Sequence, residues 1–496
     1  MIALGYDVGS SFVKGSIVDL EHGTVLAYAS YPEREMTIHS PARGWAEQHP
    51  DDWWQAVKAV TRLLGSQAPD ALLKVKAIGI SYQMHGLVLV DTNGKPLRPS
   101  IIWCDSRAAE IGRRAFQEIG ETECLYQLLN SPGNFTASKL RWVKEHEPKI
   151  FEQIYKILLP GDYIALRLTG ECTTTISGLS EGMFWNFPRH AVAEELLKYY
   201  QIPQDLLANL VPSIGVQGQL REAMAQELGL PIGIPVSYRA GDQPNNAFSL
   251  RVLEPGEIAA TAGTSGVVYA VSGSLKCDPQ SRVNAFAHVN HTEKAPHIGV
   301  LLCINGTGIS NSWIRKLVSD STLSYPAMNE LAGASPIGAK GLVVLPFGNG
   351  AERMFRDNDL GARLTQLNFN LHSKEDVLRA VQEGVAFSFH YGIGIMESME
   401  IKPQVMRVGK ANMFLSPVFC STLASVSGIS IELYNTDGSQ GAARAAAVGA
   451  GLVSSTEDAY NGLEHIGTIE PEKEREPYVE AYRQWLEILN SVLSTK

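Results

Sequence analysis

The sequence contains two similar stretches about half a chain apart, YDVGSSFVK at residues 6–14 and TAGTSGVV at residues 261–268. Each reads as the end of a buried strand, a tight turn of glycine and hydroxyl residues, and the start of a second strand. Two copies of one strand–turn–strand unit in a single chain indicate an internal duplication. We therefore expect two domains built on the same plan.

The turns of the two stretches are candidate phosphate-binding loops. Consecutive backbone N–H groups and hydroxyls converge at such a turn, which suits phosphate oxygens. A single turn of this kind is weak evidence, because Gly-Ser turns occur in loops of every sort. A matched pair in two half-chains predicts two phosphate-binding hairpins that face each other across a cleft. The chain has no GxxxxGK[ST] motif that would offer a different phosphate site.

Outward from the first stretch, the pattern predicts strands at residues 13–20 and 24–30, a helix at 51–64 and a strand at 75–81. Strands linked by short turns form an antiparallel meander, whereas the later strand follows a helix. In the second half, apolar periodicity predicts a long helix near residues 374–398. The boundary between the halves is expected near residues 249–255.

Composition and charge exclude several classes of protein. The chain has 496 residues, of which 45% are hydrophobic, enough for two or three domains with large cores. Lys and Arg number 42 against 52 Asp and Glu, and the net charge of −10 argues against binding to nucleic acid or an anionic membrane. The cysteines form no CxxC pair, the first residues include no basic region, and no apolar run is as long as a membrane span. The sequence therefore predicts a soluble, reduced, cytoplasmic protein.

Two aspartates are candidates for chemistry from their positions alone. Asp242 follows a predicted strand at residues 235–239, where a carboxylate would project into the cleft as a general base. It also precedes a predicted helix at residues 244–250 and could be the N-cap of that helix. Asp7 precedes the first turn and could hold a Mg²⁺ ion that bridges phosphates, or could simply cap the turn. Residue type and position leave both choices open.

Further motifs follow in order along the chain: WAEQ at residues 45–48, QMHG at 83–86, WCDSR at 103–107, TASKLRW at 136–142 and AGDQ at 240–243. Together with the opening stretch, this series resembles the FGGY family of carbohydrate kinases, over about residues 2–453. Within that family, the motifs are most similar to those of kinases that act on xylulose. The resemblance implies an α/β fold with two duplicated actin-like (ribonuclease H-like) ATPase domains flanking a catalytic cleft.

The resemblance also implies a division of labour along the chain. Residues 1–249 are expected to carry the sugar site, the first phosphate hairpin and the catalytic aspartate. Residues 250–453 are expected to carry the nucleotide site, and residues 454–496 to form a helical tail.

The same resemblance assigns roles to single residues, and it favours Asp242 as the catalytic base over the N-cap alternative. The residues expected to contact the sugar are Met84, His85, Trp103, Asp105, Asp242 and Gln243. Those expected to contact ATP are Gly9, Ser10, Ser11, Lys14, Gly263, Thr264, Ser265, Gly409 and Asn412, and Asp7 is expected to hold Mg²⁺ directly or through water. By residue type alone, His85 and Trp103 could equally be packed core side chains.

One segment departs from the family pattern. Related kinases usually carry three consecutive glycines after a strand of the second domain, where the backbone lies against adenosine. Here residues 408–412 read VGKAN, so Lys410 and Ala411 add side chains at two of those positions. The selectivity for the nucleotide is therefore left open.

The expected function is ATP-dependent, Mg²⁺-assisted phosphorylation of a ketopentose, with D-xylulose converted to D-xylulose 5-phosphate. One alternative is another sugar of the family, ribulose or a hexulose. A second is a non-catalytic actin-fold ATPase switch, against which the base and the sugar pocket argue. The expected partners are a sugar and ATP, and a homodimer is left open.

Overall fold

The computed structural model describes residues 1–319 and 322–495. The strands in chain order are β1 (Ile2–Val8), β2 (Val13–Asp19), β3 (Thr24–Tyr31), β4 (Glu47–Gln48), β5 (Val75–Tyr82), β6 (Val88–Val90), β7 (Ser100–Ile101), β8 (Lys156–Leu158), β9 (Thr173–Thr175), β10 (Trp185–Asn186), β11 (Ala191–Val192), β12 (Asn209–Val211), β13 (Ile214–Gln219), β14 (Pro235–Gly241), β15 (Ile258–Ala262), β16 (Gly266–Ser272), β17 (Asn284–Ala287), β18 (Ile298–Ile304), β19 (Val343–Leu345), β20 (Arg363–Thr365), β21 (Val405–Gly409), β22 (Ser430–Asn435) and β23 (Glu464–Ile469).

The helices in chain order are α1 (Pro50–Gln67), α2 (Pro69–Leu72), α3 (Ala109–Ile119), α4 (Glu121–Leu128), α5 (Thr136–His146), α6 (Pro148–Phe151), α7 (Pro160–Thr169), α8 (Ile176–Glu181), α9 (Glu194–Tyr200), α10 (Glu222–Leu228), α11 (Asp242–Ser249), α12 (Gly308–Ser319), α13 (Tyr325–Ala334), α14 (Lys374–Ser398), α15 (Pro417–Ser427), α16 (Gly438–Gly449) and α17 (Glu476–Leu493).

The first sheet has six strands in the order β13-β14-β5-β1-β2-β3. Strands β1, β2 and β3 are antiparallel, with Val8 opposite Val13 across the first turn, so the predicted meander is confirmed. Strands β5 and β14 run parallel to β1. Helix α1, which covers this sheet, begins at Pro50 behind His49, whose side chain accepts the N–H of Asp51.

The second sheet has seven strands in the order β17-β18-β16-β15-β21-β22-β23. Strands β15, β16 and β18 form a meander, and β21 and β22 run parallel to β15. The five central strands of this sheet therefore repeat the order and the directions of β3-β2-β1-β5-β14 in the first. The structure confirms the predicted α/β fold of two duplicated domains.

The segment of residues 454–496, predicted as a helical tail, contains α17 but also β23. Strand β23 pairs antiparallel with β22 and forms the edge of the second sheet. Most of its side chains are exposed, so the strand is held by backbone pairing and has no apolar pattern that the sequence could reveal. The tail prediction is wrong for this strand.

Two general properties of the chain concern its cysteines and its helices. All six cysteines are free thiols. In the part of the chain that the structure describes, no helix is both long enough and apolar enough to cross a membrane.

Helix α16 belongs to the second half by chain order but packs on the face of the first sheet. A Cβ atom on Gly5 of β1 would lie 2.0 Å from the carbonyl oxygen of Ser439, and one on Gly79 of β5 would lie 2.0 Å from that of Ala442. The hydroxyls of Ser16 and Ser439 are 2.7 Å apart at the same contact. Because no side chain fits between helix and sheet, the two halves are joined by direct backbone contact.

We predict that Gly5→Ala lowers the free energy of unfolding by about 1–3 kcal/mol, because the added methyl group must displace the backbone of α16. Urea denaturation measures the change. Gly467→Ala is the matched control, since a Cβ atom on that strand glycine has nothing within 4 Å. Equal midpoints for the two variants would contradict the tight contact between sheet and helix.

Candidate active site

The C-terminal ends of three neighbouring strands of the first sheet bring the predicted catalytic residues together. In register, Asp7 of β1 lies beside Ser81 of β5, and Ser81 lies beside Ala240 of β14. Asp242 therefore follows its strand at the same sheet edge where Asp7 lies. Ligands of open α/β sheets bind at this kind of edge.

Asp242 is the first residue of α11, and Gly241 is its N-cap residue, without a side-chain cap bond. The alternative that Asp242 caps the helix is therefore wrong. Burial raises the pKa of Asp242 to about 7, and the negative charge of Asp7 adds to the shift. A carboxylate with a pKa near neutrality is matched to proton abstraction at neutral pH.

Asp7 is held by the neighbouring strand rather than by its own turn. The Ser81 hydroxyl donates to Asp7 Oδ1 at 2.8 Å. Oδ2 lies against the first residue of α16, since a Cβ atom on Gly438 would be 2.7 Å from it. Burial raises the pKa of Asp7, while the positive charge of Lys14, its partner across the hairpin, opposes the shift.

Asp7 and Asp242 fit a divalent cation that takes most of its ligands from a bound substrate rather than from the protein. Carboxylate oxygens are ligands that Mg²⁺ prefers. Both carboxylates have raised pKa values, and a nearby cation would stabilise their ionised forms. Within residues 1–319 and 322–495, no group of three or more His, Cys, Asp or Glu side chains could form a complete metal site. A Mg²⁺ ion here would therefore take its remaining ligands from phosphate oxygens and water.

The first hairpin, residues 9–12, is closed by the N–H of Gly9, which donates to the carbonyl of Phe12 at 3.0 Å. The Ser10 hydroxyl accepts the indole N–H of Trp103 at 3.2 Å, and Ser11 and Lys14 are half-buried beside it. Trp103 is 52% exposed, so it is not a core side chain. The indole links the hairpin to the loop after β7.

His85 adopts a left-handed backbone conformation at the end of β5, with φ of 61°. Its Nδ1–H donates to the carbonyl of Glu181 at 3.0 Å, which leaves Nε2 without a proton and able to accept. Its ring packs edge-on against Phe135 and contacts Phe286 of the second half, with ring centroids 4.7 and 5.3 Å away. Burial lowers the pKa of His85 to about 3, and the charge of Lys139 contributes, so the imidazole is neutral.

Met84 and Gln243 are the neighbours in sequence of His85 and Asp242. Met84 is buried, and its side chain packs against Gly241. Gln243 follows Asp242 in the first turn of α11, and its Oε1 is buried without a hydrogen-bond partner among the described residues. That oxygen is available to accept a hydrogen bond from a ligand hydroxyl.

The prediction that Asp105 contacts the sugar is not supported by its surroundings. Its carboxylate is buried and accepts the N–H of Ala46 at 2.6 Å and the guanidinium of Arg107 at 2.7–3.0 Å. Arg107 in turn pairs with Glu47 and lies over the ring of Trp45. The WAEQ and WCDSR motifs therefore form an ion-pair network that supports the loop, and Asp105 is occupied within it.

Glu181 is a residue that the sequence analysis missed. It is fully buried at the end of α8, and its Oε2 lies against Gly241, directly before Asp242. Burial raises the pKa of Glu181 well above its usual value, and Asp242 adds to the shift. No motif marks this glutamate, so only the fold reveals it.

The nucleotide residues predicted in the second half lie together at the edge of the second sheet. The carbonyls of Gly263 and Thr264 accept the N–H groups of Gly308 and Ile309 at 2.9 and 3.1 Å, so this hairpin caps the start of α12. Ser265 closes the turn beside them, half-buried. Gly409 ends the adjacent β21, and the Asn412 side-chain amide is 3.6 Å from where a Cβ atom on Gly263 would be.

The segment of residues 408–412, which departs from the family pattern, lies beside the residues predicted to contact the nucleotide. Lys410 is exposed, and its N–H donates to the carbonyl of Tyr434 at 3.1 Å. A Cβ atom on Gly409 would have only Thr436 O near it, at 3.7 Å. The backbone at Gly409 is therefore open.

The two sheet edges face one cleft. The Asn245 amide donates to the Gly438 carbonyl at 2.9 Å across the boundary between the halves. Burial raises the pKa of Cys303, at the end of β18, to about 12, and the charges of Glu352 and Asp242 contribute. The carboxylate of Asp242 in the first half thus lies near enough to act electrostatically on a residue of the second.

Comparison with known proteins shows which family of enzymes the chain resembles. The profile described as "FGGY family of carbohydrate kinases, N-terminal domain" matches residues 2–249, and that of the C-terminal domain matches residues 258–450. The xylulose kinases of Klebsiella pneumoniae and Escherichia coli K12 are 32% identical to this chain over 450 and 447 residues, which cover 90% of this chain and 88% of each relative. The crystal structure of xylulose kinase from Rhodospirillum rubrum superposes with a TM-score of 0.89 at 27% identity, covering 99% of both chains.

We predict that Asp7→Asn lowers the pKa of Asp242 from about 7 toward its usual value, because a neighbouring negative charge is removed. The Asp242 carboxyl carbon can be titrated by NMR in protein labelled with ¹³C-aspartate and assigned with Asp242→Asn. Asp70→Asn, on the exposed helix α2, is the control and should leave the midpoint unchanged. An unchanged midpoint in Asp7→Asn would show that the two carboxylates are uncoupled.

Proposed function

The chain belongs to the FGGY family of carbohydrate kinases, and from this premise we propose that it transfers the γ-phosphoryl group of ATP to D-xylulose, forming D-xylulose 5-phosphate. The names of its relatives of similar length support this choice of sugar. In the proposal, residues 1–249 bind the sugar and supply the base, residues 250–453 bind the nucleotide, and residues 454–496 complete the second sheet and its helical cover.

The observation that carries the proposal is the placement of Asp242. Its carboxyl has a pKa of about 7 and lies beside Asp7 at the edge where the phosphate hairpin begins. The ionised form takes the proton of the sugar hydroxyl as the hydroxyl oxygen attacks the γ-phosphorus and ADP leaves. A non-catalytic actin-fold ATPase switch would not need a base with this pKa beside a sugar pocket.

The sugar is held next to the base by His85, Met84 and Gln243. His85 is neutral with Nε2 free, so it accepts a hydrogen bond from a hydroxyl, and Gln243 offers its unpartnered Oε1. Met84 supplies an apolar surface for the carbon chain. Trp103, anchored on Ser10, closes the side toward the hairpin, and Asp105 supports the loop from below.

ATP is proposed to lie between the two hairpins, with phosphates near Gly9, Ser10, Ser11 and Lys14. The other contacts would come from Gly263, Thr264, Ser265, Gly409 and Asn412, beside the exposed Lys410. When bound at Asp7, Mg²⁺ would offset the negative charge of the phosphates. Two neighbouring carboxylates without such compensation would repel the incoming nucleotide.

The proposed compartment is the cytoplasm, where ATP is supplied and where six free thiols stay reduced. Sugar and nucleotide are the only partners that the proposal needs, and a homodimer is not required by it.

We predict that D-xylulose stimulates ADP release more than D-ribulose, L-ribulose or D-fructose, by at least about tenfold in kcat/KM, or ~1.4 kcal/mol. The measurement is a coupled assay with each sugar, with the product identified by ³¹P NMR. Asp242→Asn is the matched control, and its kcat should fall about 10²–10⁴-fold. Preference for another ketose would transfer the proposal to that sugar, and no stimulation by any sugar would refute it.

The pH profile tests the role of the base separately. Because the ionised carboxylate is the active form, kcat/KM for D-xylulose should rise with pH until about 7 and then level off. A profile that is flat between pH 5 and 8 would contradict Asp242 as the base.

A further inference from the structure

Lys139 is a fully buried lysine beneath the proposed sugar pocket. It lies on α5, and its Nζ donates to the carbonyl of His85 at 2.9 Å and to the carbonyl of Ile102 at 3.0 Å. Both hydrogen bonds go to backbone carbonyls, although the charges of Asp105 and Glu181 lie near enough to act on the ammonium. The hydrogen bonds of Lys139 therefore join two loops.

Stability alone does not explain a lysine at this position. Burial lowers the pKa of Lys139 to about 8, with the charge of Asp105 opposing the shift, which reflects the cost of removing the ammonium from water. A methionine has nearly the same length and would fill the space without that cost. The two backbone carbonyls that Lys139 binds, those of His85 and Ile102, therefore explain the lysine better than stability does.

We propose that Lys139 is a positioning residue for the sugar, which holds the peptide of His85 in its left-handed conformation so that the imidazole presents Nε2 to the substrate. This inference rests on the proposed function, because it concerns the same pocket. A left-handed backbone is disfavoured for any residue with a Cβ atom, so the conformation at His85 needs support from outside the loop.

The support comes from both sides of the residue. Lys139 binds the His85 carbonyl, while Glu181 receives the His85 N–H at its Oε1 at 3.4 Å and the ring Nδ1–H at its carbonyl at 3.0 Å. Lys139 thus holds the peptide group that follows His85, whereas Glu181 holds the peptide group that precedes it and the ring.

The second bond of Lys139 extends its effect to the loop that carries Trp103. Ile102 directly precedes Trp103, whose indole donates to Ser10 of the first hairpin. One ammonium group thus holds the loop of His85 and the loop of Trp103 at a fixed separation. Loss of the ammonium should loosen the His85 loop and the Trp103 loop together.

We predict that Lys139→Met raises the KM for D-xylulose at least tenfold, while kcat and the KM for ATP stay within about twofold. The KM for the sugar changes and kcat does not, because fewer free molecules would have the loop in its binding-competent conformation. This lowers the apparent affinity for the sugar without changing the bound complex. Steady-state kinetics with each substrate varied in turn measures it. An unchanged KM for the sugar, or equal rises for both substrates, would overturn the proposal.

Lys156→Met is the matched control. Lys156 also donates to two backbone carbonyls, those of Asp205 at 2.6 Å and Leu207 at 2.8 Å, but it lies away from the pocket. It should leave the KM for D-xylulose unchanged. A similar rise in both variants would show a general loss of packing.

A double-mutant cycle with His85→Ala distinguishes positioning from packing. If Lys139 acts in part through the imidazole, Lys139→Met should raise the KM by a smaller factor in the His85→Ala background than in the unaltered protein, because only its hold on the Trp103 loop then remains to be lost. Independent, multiplying effects would overturn the proposal. Should Lys139→Met not fold, Lys139→Gln, which removes the ammonium charge and shortens the side chain but keeps an –NH2 group, carries the test.

Hydrogen exchange separates this inference from the proposed function. Amide protection of residues 83–86 should fall in Lys139→Met and not in Lys156→Met, whether or not any sugar is phosphorylated. Unchanged protection would overturn the proposal. Reduced protection in an enzyme that accepts no sugar would instead refute the proposed function alone.

Discussion

The contact between helix α16 and the first sheet is the constraint on which the rest of the structure depends. The helix comes from the second half of the chain, yet its backbone touches β1 at Gly5 and β5 at Gly79 with no side chain between them. Helix α11, from the first half, packs beside it and reaches toward the second sheet. Because these helices interlock, the carboxyl edges of both sheets open into the same cleft, and Gly438 lies against Asp7.

Much of this arrangement could be predicted from the sequence, because it rests on local patterns. The two Gly-Ser/Thr-Ser turns revealed the duplication, and their meanders fix which edge of each sheet carries the phosphate hairpins. The position of Asp242 directly after a strand was enough to suggest a base. The environment that raises its pKa, a buried site beside Asp7, depends on strands far apart in the sequence.

What the sequence could not predict lies between elements that are distant along the chain. Glu181 lies outside every motif, and Lys139 lies within TASKLRW, but that motif gives no sign of the hydrogen bond to His85. Asp105 occurs in a motif and was therefore placed in the pocket, but its neighbours Ala46 and Arg107 occupy its carboxylate. Residue type identifies a group that can act, whereas the surrounding hydrogen bonds decide whether it is free to do so.

The most direct test of this account is the kcat of Gly438→Ala with D-xylulose and ATP. A Cβ atom at this position would lie 2.7 Å from Asp7 Oδ2, whereas alanine suits the first turn of a helix at least as well as glycine. If the interlocked helix sets the position of Asp7, kcat should fall about 100-fold while the folded protein persists, because a small displacement of a catalytic group has an effect of that size. A kcat within twofold of the unaltered enzyme would contradict the account.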